Sequence, residues 1–183
     1  MKILLISYGD CEYDGSLREL IRVFSTMGEL FAFSRGHNKL AAGHKTCNAT
    51  SYARFIKDAV AFGKQLRSLD ILVLDNRKAV IPGLLLKRAI APKIIVQDCR
   101  ELYVPSEVSH LSGKIGCFFE KRGIQKANII ICANQERAQK MQELYSLKRT
   151  PLVFENLRQL EYSSEQAFEV QEKRFTEYIH QDE

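Results

Sequence analysis

Several signatures of familiar protein classes are missing from this sequence of 183 residues. No apolar run approaches the roughly 20 residues that a membrane-spanning helix requires. The apolar run 2–6 is followed by an acidic loop instead of a small-residue cleavage site, so it predicts a first buried strand and not a secretory signal. The chain also has no GxGxxG, no P-loop and no nucleophile elbow. No motif therefore supports a dinucleotide-binding protein, a P-loop NTPase or a serine hydrolase.

Cysteine occurs without a pattern. The five cysteines form no CxxC pair and have no spacing typical of zinc ligands. The four histidines have no fixed short spacing either, so we expect no metal site and no cofactor. An odd number of unpatterned cysteines indicates free thiols in a reducing compartment, which predicts a cytoplasmic protein, with the inner face of the membrane as an open alternative.

The composition is ordinary for a globular domain, with 45% hydrophobic and 27% charged residues. The net charge of +5 is mild. It permits contact with phosphates or with an anionic membrane face and does not demand a nucleic acid partner, so none is expected.

Four strand-like apolar runs each end abruptly in polar or charged residues. These runs are 2–6, 30–33, 71–74 and 93–96. In an open parallel sheet, ligands bind in the crevice outside the carboxyl ends of the strands. The sequence therefore predicts a small-molecule site at that edge of a Rossmann-type sheet.

Helical patterns alternate with these strands. A helix follows Gly15 with apolar spacing i, i+3, i+4 and i+7, and Gly28 closes it. The polar stretch 36–50 predicts a long loop, and further strands are expected at 128–132 and 151–154. The alternation predicts an α/β fold, a Rossmann-like three-layer sandwich with a mostly parallel sheet and right-handed crossovers.

The last stretch does not join this alternation. Ser163 and Gln166 have the spacing of a capping box, which predicts a helix over 167–179. We therefore divide the chain into a Rossmann-like domain, 1–160, and a helical connector, 161–183, that leads to a second domain outside this sequence. Four apolar side chains of the connector are expected to be only partly buried here, or buried against a neighbouring copy: Phe168, Phe175, Tyr178 and Ile179.

The loop between the first strand and the first helix is a candidate ligand contact, with Asp14, Gly15 and Ser16 as predicted substrate-binding residues. Free amides at Gly15 and Ser16 are placed to cradle a phosphate or a sugar hydroxyl. The alternative is an ordinary helix cap by Asp14 or Ser16.

Polar residues after the third and fourth predicted strands form the second candidate. Asn76 follows one strand, and Asp98 and Arg100 follow the next, so substrate contacts are predicted at these three positions. The alternative for Asp98 and Arg100 is a surface ion pair that contributes little. The basic segment 114–126 is either a solvated helix face or a membrane-surface helix.

The order of motifs resembles a known family. The first strand leads into the loop segment Asp14-Gly15-Ser16-Leu17-Arg18. The strand at 70–75 is followed along the chain by a strand at 94–98 that ends in two polar residues. Phe119-Glu120-Lys121 precedes the strand at 129–132, and Val153-Phe154-Glu155-Asn156 comes before the change of domain. Together these resemble the N-terminal, acceptor-side domain of a GT-B glycosyltransferase, most similar to glycosyltransferase family 4.

This resemblance implies an activity. The chain would belong to a retaining glycosyltransferase of hexosyltransferase type that moves a sugar from a nucleotide-sugar donor to a glycan or lipid-linked acceptor without a divalent metal. The Gly15 and Ser16 amides would face the diphosphate, and Asp98 and Arg100 would contact acceptor or sugar hydroxyls. No catalytic residue is assigned, because the family binds the donor mainly on its second domain, and residues 1–183 alone are expected to be inactive. The alternative is a stand-alone flavodoxin-like binding or regulatory module without transfer activity.

Overall fold

The computed structural model describes residues 1–101, 103, 104, 106, 108–154, 173, 175, 177 and 178. Seven parallel strands form one sheet in the order β3-β2-β1-β4-β5-β6-β7. The elements are β1 (Lys2–Asp10), α1 (Gly15–Met27), β2 (Glu29–Arg35), β3 (His44–Cys47), α2 (Tyr52–Gln65), β4 (Ile71–Asp75), a 3₁₀ turn (Arg77–Ala79), α3 (Val80–Ile90), β5 (Ile94–Asp98), α4 (Leu111–Ile124), β6 (Ile129–Cys132), α5 (Gln135–Tyr145) and β7 (Leu152–Val153). The predicted Rossmann-like α/β fold is confirmed.

Helices cover both faces of the sheet. Leu5 and Val73 share one core with α1 and Phe154, whereas Leu4 and Ile6 share the other with α2 and α3. All five residues of β4 are buried, as expected for a central parallel strand covered on both sides. The strand order reverses between β1 and β4, so the loops after these two strands diverge and leave a crevice between them.

The predicted long loop at 36–50 contains a strand, so that prediction is wrong in part. β3 (His44–Cys47) pairs with the outer edge of β2. Its sequence does not alternate between apolar and polar residues. Its one buried side chain, His44, is polar and is held by hydrogen bonds and not by apolar packing. The Nε2 of His44 lies 2.7 Å from the Ser34 hydroxyl, and its Nδ1 accepts from the Leu40 amide at 3.0 Å.

The connector was expected to leave its apolar side chains partly uncovered, and for Phe175 this is wrong. Phe175 is 0% exposed, and its ring centroid lies 5.0 Å from that of Phe24 and 6.3 Å from that of Phe154. A ring of this size fills the space that α1 and the end of β7 leave over the sheet. Tyr178 is half-buried against the same core, while Phe168 and Ile179 lie outside the described residues.

Among the residues that the structure describes, no helix combines the length and the apolar character needed to cross a membrane.

Candidate functional site at the reversal of strand order

A crevice of about 260 Å³ opens where the strand order reverses. Its walls come from the carboxyl ends of β1 and β4 and from the segment after β5. The residues that line it are Tyr8, Gly9, Asp14, Asp75, Asn76, Arg77, Lys78, Glu101 and Tyr103. The lining therefore combines carboxylates, cations and aromatic rings around one opening.

Ser7 and Asp75 lie side by side at the floor of the crevice, because they are register partners on β1 and β4. The Ser7 hydroxyl accepts from the Gly9 amide at 2.9 Å and donates its proton to the carboxylate of Asp75. Burial, and after it the charge of Asp98, raise the pKa of Asp75 above the ordinary value for a carboxyl group. The crevice thus has at its floor a carboxyl group that favours its neutral form.

Gly9 lets the Asp14 side chain approach the loop closely. A Cβ atom at this position would lie 2.5 Å from Oδ2 of Asp14 and 3.0 Å from the Ser7 hydroxyl. Any larger residue would push Asp14 away from the crevice. At Gly15, in contrast, a Cβ atom would meet nothing within 4 Å, so the packing does not require glycine there.

Asp98 and Arg100 form a buried ion cluster beside the floor. Arg100 Nε donates to Asp98 Oδ2 at 3.0 Å, and Nη1 donates to Glu19 Oε2 at 2.6 Å. Burial raises the pKa of Asp98, and the guanidinium of Arg100 lowers it in part. Asp98 is 1% exposed, and neither it nor Arg100 lines the crevice, so their side chains face each other and Glu19 and not the opening.

Asn76 turns the chain sharply at the end of β4. Its backbone has φ 62° and ψ 172°, a region that only glycine adopts without cost. The side-chain oxygen accepts from the Arg77 amide at 2.7 Å, and the Asn76 carbonyl accepts from Gln97 Nε2 at 3.3 Å. Strained backbone of this kind is concentrated at functional sites, because only a surrounding structure that is fixed elsewhere tolerates it.

Asp14 caps the helix that begins the other wall. Its side chain accepts from the Leu17 amide at 3.1 Å, as the alternative interpretation of this loop proposed. Asp14 also lines the crevice. Gly15 and Ser16 are the first residues of α1, and their amides have no intrahelical carbonyl to bond.

Two cations, Arg77 and Lys78, and two tyrosines, Tyr8 and Tyr103, line the opening. The Lys78 ammonium lies 4.5 Å from the ring centroid of Tyr8, and the Arg35 guanidinium lies 4.6 Å from it. Arg77 lies 3.8 Å over the ring of Tyr103. Arg77 and Lys78 also line the crevice, so the tyrosine faces hold them where their charge reaches it.

Glu120 is a buried acid that the sequence analysis did not select. It projects from α4 and is almost fully buried, and burial raises its pKa to about 7, with Arg77 opposing the shift. Its Oε2 has no hydrogen-bond partner among the described residues. The signal was present in the sequence, since Glu120 shares helical spacing with the buried Cys117 and Ile124.

The sequence-predicted residues thus fall into three groups. Asp14 and Asn76 line the crevice, Gly15 and Ser16 begin the helix beside it, and Asp98 and Arg100 lie buried next to its floor. Most of the lining was not among the predicted substrate contacts: Tyr8, Gly9, Asp75, Arg77, Lys78, Glu101 and Tyr103. Ser7, which bonds to Asp75, was not predicted either. Across the described part of the chain, no three His, Cys, Asp or Glu side chains group closely enough to hold a metal ion.

Comparison with known proteins supports the fold. No family model matches the chain, and no curated protein matches it. A solved structure of sucrose-phosphate synthase from Thermosynechococcus elongatus is similar, with a TM-score of 0.62 and 12% sequence identity over 99% of this chain and 98% of that one. At this level of identity the likeness is one of fold. The chain shares the Rossmann-type α/β fold of that structure.

Proposed function

We propose that this chain is the acceptor-side domain of a GT-B glycosyltransferase that transfers a sugar from a nucleotide-sugar to a glycan or lipid-linked acceptor. The observation that carries this proposal is the crevice at the reversal of strand order, where carboxylate, cationic and aromatic side chains meet. Open α/β sheets bind small ligands at this position.

The chemistry of the lining fits a hydroxylated ligand with a negative charge. Carboxylates such as Asp14 accept hydrogen bonds from sugar hydroxyls, and the faces of Tyr8 and Tyr103 offer apolar surface to the C–H side of a sugar ring. Lys78 and Arg77 supply positive charge for a phosphate. In transfer, such cations stabilise the negative charge that develops on a leaving diphosphate.

The predicted substrate contacts keep different roles in this proposal. Asp14 and Asn76 contact the ligand directly, and the amides of Gly15 and Ser16 face its phosphate. Asp98 and Arg100 do not contact the ligand in this proposal. Their charges set the electrostatic environment of Asp75, which lines the crevice. Retention of configuration, membership of family 4 and binding of the donor mainly to a further domain are parts of the same proposal.

Two observations outside the crevice support the wider proposal. The fold is shared with a structure named as a sucrose-phosphate synthase. All five cysteines are free thiols, four of them buried, which fits action in the reducing cytoplasm.

A second candidate is a stand-alone sugar-binding or regulatory module without transfer activity. The burial of Phe175 favours it, since the chain's own residues close the core beside α1. The two candidates share the crevice and differ only in turnover.

Binding at the crevice is tested by titrating the intact ¹⁵N-labelled chain with glucose, glucose 6-phosphate and UDP-glucose. We expect chemical-shift changes at Tyr8, Gly9 and Asn76 with the phosphorylated probes. Lys78→Ala is expected to weaken binding by about tenfold, the loss of one charge-assisted contact. Lys64→Ala, an exposed lysine on α2 far from the lining, should leave binding unchanged.

The same titration has two outcomes that contradict the proposal. One is the absence of shifts with all three probes, and the other is shifts confined to residues outside the crevice. Incubation of residues 1–183 with nucleotide-sugars and acceptors should give no sugar transfer, because the donor is proposed to bind mainly to a further domain. The two candidates are separated by the same incubation when that further domain is present, since only the transferase then passes sugar to the acceptor.

A further inference from the structure

Helix α4 exposes an apolar stripe to solvent. Of the eight large apolar side chains that are exposed among the described residues, three lie on α4: Leu111 (74% exposed), Ile115 (49%) and Phe118 (54%). Their spacing of four and three places them on one side of the helix, opposite the buried Cys117 and Ile124. An exposed stripe of this kind marks an interaction surface.

The charged side chains that α4 exposes all have one sign. Lys114, Lys121 and Arg122 are exposed on the same side of α4, and the Arg122 guanidinium lies 5.3 Å from the ring centroid of Phe118. The only acid in α4 is Glu120, which is buried on the opposite side. The neighbouring helix α3 has no acid, and it exposes Leu85 beside Arg88. The surface is therefore apolar at its centre and positive around it.

We infer that the exposed side of α4 binds the surface of an anionic lipid bilayer. Leucine, isoleucine and phenylalanine side chains enter the boundary between headgroups and acyl chains, while the lysines and arginine pair with lipid phosphates. A second copy of this chain is a poor alternative, because a two-fold contact through α4 would bring the same three cations against each other. A soluble polyanion would pair with the cations and leave the apolar stripe without a partner.

The position of α4 determines which side of the domain would face the bilayer. The helix begins at the carboxyl edge of the sheet, and Ile115 lines an apolar groove together with Tyr8, Tyr52, Ile81 and Phe119. That groove shares Tyr8, Arg77 and Lys78 with the crevice. A bilayer on α4 would therefore lie beside the opening of the crevice. The inference stands on the exposed surface alone and does not depend on the proposed activity.

Vesicle co-sedimentation of the intact chain tests the inference. We expect binding to vesicles of phosphatidylcholine with about one-third phosphatidylglycerol, and little binding to phosphatidylcholine alone, because each cation near an anionic surface adds to the affinity. Ile115→Ser combined with Phe118→Ser should weaken the binding at least about tenfold, since the apolar contact is lost. Raising the salt concentration to about 0.5 M should weaken it further.

Two further variants make the test specific. Lys114→Gln with Lys121→Gln should weaken binding to anionic vesicles, whereas Leu144→Ser, a change of an apolar side chain on α5 with 42% exposure, should not. All substituted side chains are exposed, so a thermal melt is expected to confirm folding. The inference is overturned by binding that survives the Ile115/Phe118 change, by equal binding to both vesicle types, or by a concentration-dependent dimer that this change abolishes.

Discussion

The Ser7 hydroxyl donates a hydrogen bond to the carboxyl group of Asp75 across the two strands at which the sheet order reverses. The Gly9 amide occupies a lone pair of the same hydroxyl at 2.9 Å, which fixes the direction of the donated proton. Asp75 is buried and lies next to Asp98 in register. Both burial and that second carboxylate favour the neutral form of Asp75, so its protonation is linked to folding.

The first prediction concerns the pH dependence of stability. Because the pKa of Asp75 is raised in the folded state, the folded chain holds a proton that the unfolded chain releases above about pH 4. The free energy of unfolding should therefore fall as the pH rises from there through the folded pKa. Asp75→Asn keeps an oxygen for the Ser7 hydroxyl and cannot ionise, so it should stabilise the protein at pH 8 by on the order of 1–2 kcal/mol and little at pH 4.

Urea unfolding at a series of pH values measures this difference. Asp58→Asn serves as the control, since Asp58 is paired on the surface with Arg54 at 2.9 Å. A difference between Asp75→Asn and the natural chain that is the same at pH 4 and pH 8 would show that Asp75 ionises normally.

The second prediction compares a buried ion pair with an exposed one. Arg100 is buried between Asp98 and Glu19, so Arg100→Ala leaves two carboxylates without their cation and should cost about 3–5 kcal/mol of stability. Lys93 pairs with Asp70 at 2.7 Å, but its side chain is largely exposed, and Lys93→Ala should cost less than about 1 kcal/mol. Chemical denaturation of both variants gives the comparison.

A combined variant separates charge from packing. Arg100→Ala with Glu19→Gln removes one of the two unpaired acids, so it should recover part of the lost stability. If both alanine variants cost the same small amount, Arg100 is not the centre of a buried cluster, and a direct role in ligand contact becomes the better explanation.

The third prediction separates backbone strain from function at Asn76. Asn76→Gly relieves the strained φ and ψ angles and loses only the hydrogen bond to the Arg77 amide, so its stability should equal or exceed that of the natural chain. Asn76→Ala keeps the strain without the bond, and should be less stable than Asn76→Gly by about 1–3 kcal/mol. Both changes should weaken the binding of glucose 6-phosphate, because the side chain faces the crevice.

Arg67 offers the matched control, since it also has a positive φ (64°) and lies after α2, away from the crevice. Arg67→Gly should raise stability and leave binding unchanged. Equal binding by Asn76→Gly and the natural chain would remove Asn76 from the proposed site.

The strands differ in how well the sequence predicts them. β4 and β5 each begin as an apolar run and end in polar residues, so their pattern identifies both the strands and the edge at which they end. β3 has no such pattern, because His44 is satisfied by Ser34 and by the Leu40 amide rather than by apolar neighbours. Strands that depend on specific hydrogen bonds at a sheet edge escape an analysis based on hydrophobic periodicity.

The site was predictable in location and only partly in detail. The polar ends of adjacent strands placed Asp14 and Asn76 at the crevice, since parallel strands bring their carboxyl ends together. The burial of Arg100 was not predictable, because its partner Glu19 lies 81 positions earlier in the sequence. Ser7 was missed for a similar reason: only the register of β1 against β4 places it next to Asp75.

The last prediction tests whether the terminal segment belongs to this domain's core. Phe175 is fully buried and makes edge-to-face contacts with Phe24 and Phe154, so Phe175→Ala removes a large apolar side chain and leaves a cavity. Such a change costs about 3–5 kcal/mol in a well-packed core. Phe118→Ala is the matched control, because the Phe118 ring is 54% exposed and its removal should cost less than about 1 kcal/mol. Both values come from denaturant unfolding at one pH. A loss below about 1 kcal/mol for Phe175→Ala would mean that the segment detaches in solution, as expected of a connector between domains. The larger loss would mean that α1 and the terminal segment form one cooperative unit, and that any further domain joins a surface that is already closed.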